Sequence, residues 1–279
     1  MRKILLALTA IVILCATSCT KEKSFEEENP NGSGGNATDG ELLSKIVVQL
    51  GPDSATTTFN YDLGKRLVSE TNVGGLSIAS DDSLQRVVRD ANGIIQKIVL
   101  YPDAGLNNLV EYTLRYDAAA KRYTTKLSYD GNGNVEDSIV YTYDNAGRIT
   151  GQTAYVNFGG GYEVVGKETI EYDGNNNIRK VTAAEPDGTM WEDIQEVTFE
   201  YDDKVNPLKL GIEAVLLNRQ QYHGNNNVTR IAVEDFDLPM FNQEITLTYT
   251  YNGSNKPLTA AITISGAGGA TLPVTFKYK

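Results

Sequence analysis

From Lys45 to Lys279, apolar and polar side chains alternate with a period of two, segment after segment. In "EITLTYTY", Ile245, Leu247, Tyr249 and Tyr251 fall on one side, and Thr246, Thr248 and Thr250 on the other. "EVTFEY" sets Val197, Phe199 and Tyr201 against Thr198 and Glu200. "YTLRY" and "VTFKY" repeat the scheme with Tyr112, Leu114 and Tyr116 and with Val274, Phe276 and Tyr278. Alternation by twos in β-branched and aromatic residues predicts strands with one buried face. Only "LKLGIEAVLLNRQQY", Leu208 to Tyr222, admits a short helix, or else a strand and a bend.

A recurring Tyr-Asp pair punctuates the strands. In "YTYDNAGRIT", Asp144-Asn145-Ala146-Gly147 reads as a type I turn ending in a left-handed residue. The aspartate can accept backbone N–H bonds at the turn start, and Gly147 takes positive φ at little steric cost. The pattern recurs at Asp90 to Gly93 and Asp130 to Gly133, and Asn176 takes the left-handed place after Asp173. Asn252 to Asn255 and His223 to Asn226 fit with a changed first residue. "YDLGKRL" at Tyr61 reads as one residue shorter, "YDDKVNPL" substitutes Asn206-Pro207, and Asp117-Ala118-Ala119-Ala120 departs from the pattern.

The residues before these turns are 61, 89, 116, 143, 172, 201, 222, 251 and 278, spaced by 27 to 29 except for one interval of 21. A unit of about 28 residues holds two strands of about nine or ten residues and two connections. Tyr129 falls near mid-interval, so some turns mark the opposite sheet edge. The expected fold is all-β: an antiparallel meander of roughly 14 to 18 strands, rolled into a barrel-like or flattened closed sheet with its apolar face inward. About sixteen strands enclose more space than one layer of side chains fills, so the closure must be flattened or something must occupy the middle.

The N-terminus is of another kind. "MRKILLALTAIVILCATSC" has a basic start, an apolar run and small residues before Cys19. That is a secretory signal, and Ala16-Thr17-Ser18-Cys19 resembles the bacterial lipobox. The resemblance implies that Cys19 becomes the diacylated mature N-terminus, and two acyl chains anchor firmly where one does not. "TKEKSFEEENPNGSGGNATDG" has too few apolar residues to order itself and reaches roughly 25 Å as a flexible coil. The organisation expected is a signal over residues 1–18, a lipidated tether over 19–40 and a single β domain over 41–279. "CTKEKSFEEE" resembles the Lys/acidic export signal of surface lipoproteins in gut-dwelling Gram-negative anaerobes, which implies an outer-membrane, cell-surface location; the periplasmic face is the alternative.

Composition narrows the chemistry. Both cysteines, Cys15 and Cys19, precede the β region, so no disulfide framework is expected there. With His223 as the sole histidine, a closed Cys/His zinc site is excluded. The formal charge is −11, and −13 once Arg2 and Lys3 leave with the signal, which argues against a nucleic-acid partner. "DGNGNVED" imitates the start of a calcium loop, but Val135 stands where glycine is needed and the distal Glu is missing. "NFGGGY" has no Gly-Lys-Ser/Thr after it to cradle phosphate. No metal and no cofactor are expected. His223, at an apparent turn start, reads as a turn residue without a catalytic partner. Trp191 can stack on a sugar ring, although a sole Trp on a strand edge more often packs into the core. "DSA", "DSL" and "DSI" resemble Asp-Ser/Thr-apolar O-glycosylation sites, which makes Ser54, Ser83 and Ser138 candidates.

Tyr61-Asp62, Tyr143-Asp144, Tyr172-Asp173 and "YDDKVNPL" resemble the YD-repeat sequences of large bacterial surface and toxin-shell proteins. More closely, the chain resembles secreted lipoproteins of gut anaerobes whose function is unknown and whose fold is described as porin-like. The resemblance covers most of the mature chain and implies architecture, not activity. Anchor, tether and repeats, with no recognisable catalytic set, point to a non-enzymatic binding or adhesion module. Its partners would be the membrane, through the lipid, and a glycan or a host or surface protein. The alternatives are a structural or assembly component of the outer membrane and a hydrolase with an unrecognised cleft.

Overall fold

The structure is a computed structural model that describes residues 42–74, 82–101, 110–265 and 271–279; the signal, Cys19 and the tether lie outside these. The first eight strands are β1 (Leu43–Leu50), β2 (Asp53–Tyr61), β3 (Leu67–Val73), β4 (Asp82–Arg89), β5 (Ile95–Tyr101), β6 (Val110–Asp117), β7 (Arg122–Tyr129) and β8 (Val135–Tyr143). The rest are β9 (Ile149–Asn157), β10 (Tyr162–Tyr172), β11 (Ile178–Asp187), β12 (Met190–Tyr201), β13 (Val228–Asp235), β14 (Gln243–Tyr251), β15 (Pro257–Ile264) and β16 (Thr271–Tyr278). Each pairs antiparallel with the next, and β16 returns to β1, closing a sixteen-strand barrel.

Register decides which face points in. Val48 lies opposite Ala55 and Val274, and Val181 opposite Ile170 and Val197. Val48, Val274, Ile170, Val181 and Val197 join one core cluster with Phe59, Ile98, Phe199 and Phe276. Threonines and charges of the other phase form the outer wall.

The Tyr-Asp turns gather at one end, the tyrosine pole. In the turn after Tyr143, Asp144 N–H donates to the Arg148 carbonyl at 3.0 Å, and Asp144 Oδ1 accepts from Ala146 N and Arg148 N at 2.9 Å each. These bonds, led by the Arg148 backbone N–H, hold the Asp144 carboxyl below its usual range. Gly147 sits at φ 80° and Asn176 at φ 65°, as the turn chemistry requires. The turn after Tyr61 is not shorter. Asp62 N–H reaches the Arg66 carbonyl at 3.0 Å, and Lys65 rather than a glycine takes the left-handed place at φ 61°. Asp117 and Arg122 close a hairpin with four residues between them, again with a lysine, Lys121, at φ 51°. The Asp130 turn marks the opposite pole.

The tyrosine has its own task. Beside each turn the strand register shifts by one residue, as between Thr142 and Tyr143 and between Glu171 and Tyr172. Such bulges interrupt the ladder. The carbonyl of the first residue past the turn then accepts a hydroxyl from the next unit. Tyr172 donates to Ile149 O at 2.6 Å, Tyr201 to Ile178 O at 2.6 Å, Tyr249 to Val228 O at 2.8 Å and Tyr278 to Pro257 O at 2.7 Å. Tyr61 serves Leu43 O, and Tyr143 serves Tyr123 O, in the same way. Arg89 replaces tyrosine in this role at Leu67 O, 3.1 Å away.

The hairpin expected at His223 to Asn226 does not exist. Asp202 N–H donates to Asn227 O at 3.0 Å, and Asp202 Oδ1 accepts from Asn227 N at 3.0 Å and from Lys204 N at 2.9 Å. These are the bonds of the other turns, so residues 203–226 are an insert of 24 residues within a single turn. Tyr222-His223 imitates a turn start because the insert ends in Gly-Asn residues just before the true closing residue. The insert carries α1 (Ile212–Leu216) and a 3₁₀ turn (Gln220–Tyr222), and its Val215, Leu216 and Leu217 join the barrel core. It is the object that occupies the middle.

Candidate functional site

The inserted segment is tied to the inner wall by charges placed among apolar residues. Arg89 on β4 forks onto Glu213, with Nη1 to Oε1 and Nη2 to Oε2 both at 2.7 Å. Arg219 grips Glu70 on β3 at 3.0–3.3 Å. Lys126 on β7 donates to Leu216 O at 3.2 Å and lies 4.6 Å from the Tyr112 ring centre. Burial pulls the Lys126 ammonium down to about 8, partly opposed by the Glu168 charge. Burial pushes the Glu168 carboxyl up to about 7, while a hydrogen bond from Gln152 works against that rise. Glu70 is held by Arg219 and Glu213 by Arg89, whereas Glu168 takes Gln152 on one oxygen and leaves its Oε1 buried without a hydrogen-bond partner among the described residues.

His223 belongs to the same assembly. It is 4% exposed, its Nδ1 lies 3.1 Å from Asn176 O, and its ring leans on Tyr172 with centres 5.0 Å apart. Burial lowers its pKa. It fastens the insert to the β10–β11 turn. Among the described residues, no three His, Cys, Asp or Glu side chains gather as a metal site. Asp130 instead accepts Asn132 N and Asn134 N at 2.9 and 2.8 Å, as a turn.

The outer wall carries ion pairs between strands. Lys97 meets Glu111 at 2.6 Å, Lys180 meets Glu196 at 2.8 Å, and Arg230 meets Glu200 and Glu244 at 2.9 and 2.6 Å. A lysine or arginine facing lipid at mid-bilayer costs about 2–4 kcal/mol. Among the described residues no helix is long and apolar enough to cross a membrane.

The opposite pole is different. Three successive hairpins there expose large apolar side chains: Phe158 between β9 and β10 with Tyr162 opening β10, and Met190 and Trp191 opening β12. Phe236, Leu238, Met240 and Phe241 follow between β13 and β14. Neighbouring hairpin tips of a sheet lie about 10 Å apart, so the three form one arc of rim. Trp191 is 40% exposed and outside the core cluster, with Lys167 Nζ 4.5 Å from its ring centre. Core packing, the commoner fate of a sole Trp, does not apply, because a register shift between Ala183 and Ala184 puts Trp191 on the outer side near the hairpin tip. The readable sign was large apolar residues in and directly beside the turn sequences of "NFGGGY", "DGTMWED" and "DFDLPMF".

The remaining sequence candidates scatter. Ser54 is exposed near the rim pole and Ser138 stands half-buried on the outer wall. Ser83 faces inward, with Asn72 Nδ2 3.3 Å from its Oγ. Cys19 lies outside the described residues. Leu42 and Lys279 exchange backbone hydrogen bonds at 3.2 and 3.0 Å, so the chain enters the barrel at the tyrosine pole, opposite the rim.

No protein-family model matches the sequence, and no curated protein matches it. Solved structures do. A porin-like protein from Bacteroides vulgatus aligns at a TM-score of 0.50 with 11% identity, over 85% of this chain and 98% of that one. A porin-like protein from Bacteroides uniformis aligns at a TM-score of 0.49 with 17% identity, over 86% of this chain and 98% of that one. The alignment to the Bacteroides vulgatus protein places the closed antiparallel barrel among porin-like folds; at such identity it carries the fold and nothing of function.

Proposed function

We propose that this chain is a lipid-anchored, non-enzymatic binding or adhesion module on the outer surface of the outer membrane, with the apolar rim as its contact surface. One observation carries the reading: the chain enters at the tyrosine pole and the rim lies at the other. An acylated Cys19 and its tether would hold the tyrosine pole toward the membrane and turn the rim outward. The polar outer wall fits a body standing in water. Arg219 holds Glu70 and Arg89 holds Glu213, so these two inward carboxylates do not form the free pair a glycoside hydrolase needs.

The test uses the absence of any cysteine after Cys19. A Thr189→Cys variant, at the exposed tip between β11 and β12, is expressed and intact cells are treated with a membrane-impermeant biotin-maleimide. Labelling without lysis is expected, and Cys19→Ala is expected to release the chain from the membrane fraction. Labelling only after lysis would overturn surface display and favour an assembly role at the periplasmic face.

A further inference from the structure

We infer that the rim takes a cationic amphipathic polypeptide. This rests on the rim being a contact surface, and it names the partner. The apolar half of the argument is exposure: Met190 is 71% and Met240 82% exposed, beside Trp191 and Phe241. Exposed apolar side chains in one arc mark an interaction site, and flexible Met side chains repack around varied partners. The other half is charge. "EPDGTMWED" and "EDFDLPMFNQE" each carry four acids and no Lys or Arg. Asp187, Glu192, Asp193 and Asp237 are exposed, and none has an ion-pair partner among the described residues. Charge of this sign repels anionic lipid and acidic polymers and attracts lysine and arginine. Trp191 already accepts one cation, Lys167, against its ring, which also takes one ring face from a stacking sugar.

The experiment titrates the purified chain with the synthetic peptide KLLKLLKKLLKLLK and with its Lys→Glu counterpart. Trp191 is the sole tryptophan, so its emission reports the rim directly. The lysine peptide is expected to bind saturably with a blue shift. Its affinity should fall about tenfold in the triple variant Asp187→Asn/Glu192→Gln/Asp193→Asn, and again as salt shortens the Debye length. Met240→Ser/Phe241→Ser is expected to lose the binding as well. Equal binding of the glutamate peptide, or lysine-peptide binding untouched by both rim variants, would overturn the partner class. So would a glycan-array signal that Trp191→Ala abolishes in a chain that ignores the peptides, although that result leaves the rim a contact surface. Surface display fails separately, by maleimide labelling only after lysis.

Discussion

Removing one hydroxyl, in Tyr201→Phe, tests whether the tyrosines brace the barrel. The Tyr201 hydroxyl donates to Ile178 O at 2.6 Å, and Ile178 is 0% exposed. The register shift between Glu171 and Tyr172, where Tyr172 pairs with Ile178, marks a bulge that interrupts the ladder beside this carbonyl. Phenylalanine keeps the ring and its packing but strips the donor. Water cannot easily replace it, so the cost is that of a buried unpaired carbonyl, about 1–3 kcal/mol. For a chain of this size each kcal/mol moves the melting midpoint by about 2–4 °C, which predicts a fall of about 2–12 °C. Thermal and urea unfolding followed by far-UV circular dichroism measure it. Tyr155→Phe is the control: its side chain stands on the outer wall, and its hydroxyl makes no hydrogen bond among the described residues. If Tyr201→Phe stays as close to wild type as the control, the carbonyl has another partner and the tyrosines are packing residues only.

Two further predictions concern the interior. Arg89→Met strands Glu213 and Leu67 O, and is expected to cost about 3–5 kcal/mol in urea unfolding, whereas Arg89→Met/Glu213→Leu should recover the part due to the stranded carboxylate and keep the cost of the unpaired Leu67 O. A double variant no better than the single would refute the pairing. Glu168 sets a pH dependence. Its folded pKa, raised by burial to about 7 from 4.5, means that its contribution is fully present below 4.5 and is lost as pH rises through about 7. His223, lowered by burial, acts in the opposite sense: its contribution is present above 6.5 and is lost as pH falls. Glu168→Gln should therefore flatten the loss of stability between about pH 5 and pH 7 and leave the acid-side loss in place. An unchanged profile in that window would show that Glu168 is not the group responsible.

The barrel was legible because its grammar is local. Period-two alternation names a strand without knowledge of its neighbours, and an aspartate with a left-handed residue three places on names a turn. Lys65 hid one turn's length because lysine seldom takes positive φ, so the eye settles on Gly64. The insert was illegible for the opposite reason: Asp202 closes on Asn227, far along the chain, and no local pattern announces such a partner. The buried charges were hidden in plain alternation. Glu70 in "SETNV" and Lys126 in "TTKLS" hold the inward phase among threonines and serines, so nothing in the segment shows which side carries the core. The rim residues lay in connections or just past them, where a register shift such as that between Ala183 and Ala184 resets the direction that alternation would assign.

The turn at Asp202 makes the same bonds whether it encloses 24 residues, or three as at Asp144. Going from three to 24 is three doublings of loop length, which costs only roughly 2 kcal/mol in closure entropy. The turn therefore acts as host to a passenger it does not need to recognise, and the wall on either side keeps its stagger. Sister sites at Asp62, Asp90 and Asp173 carry the same clasp. A lineage built this way can graft, lengthen or discard an internal stopper at any of these doors, changing the bore of the cask while every stave stays where it was.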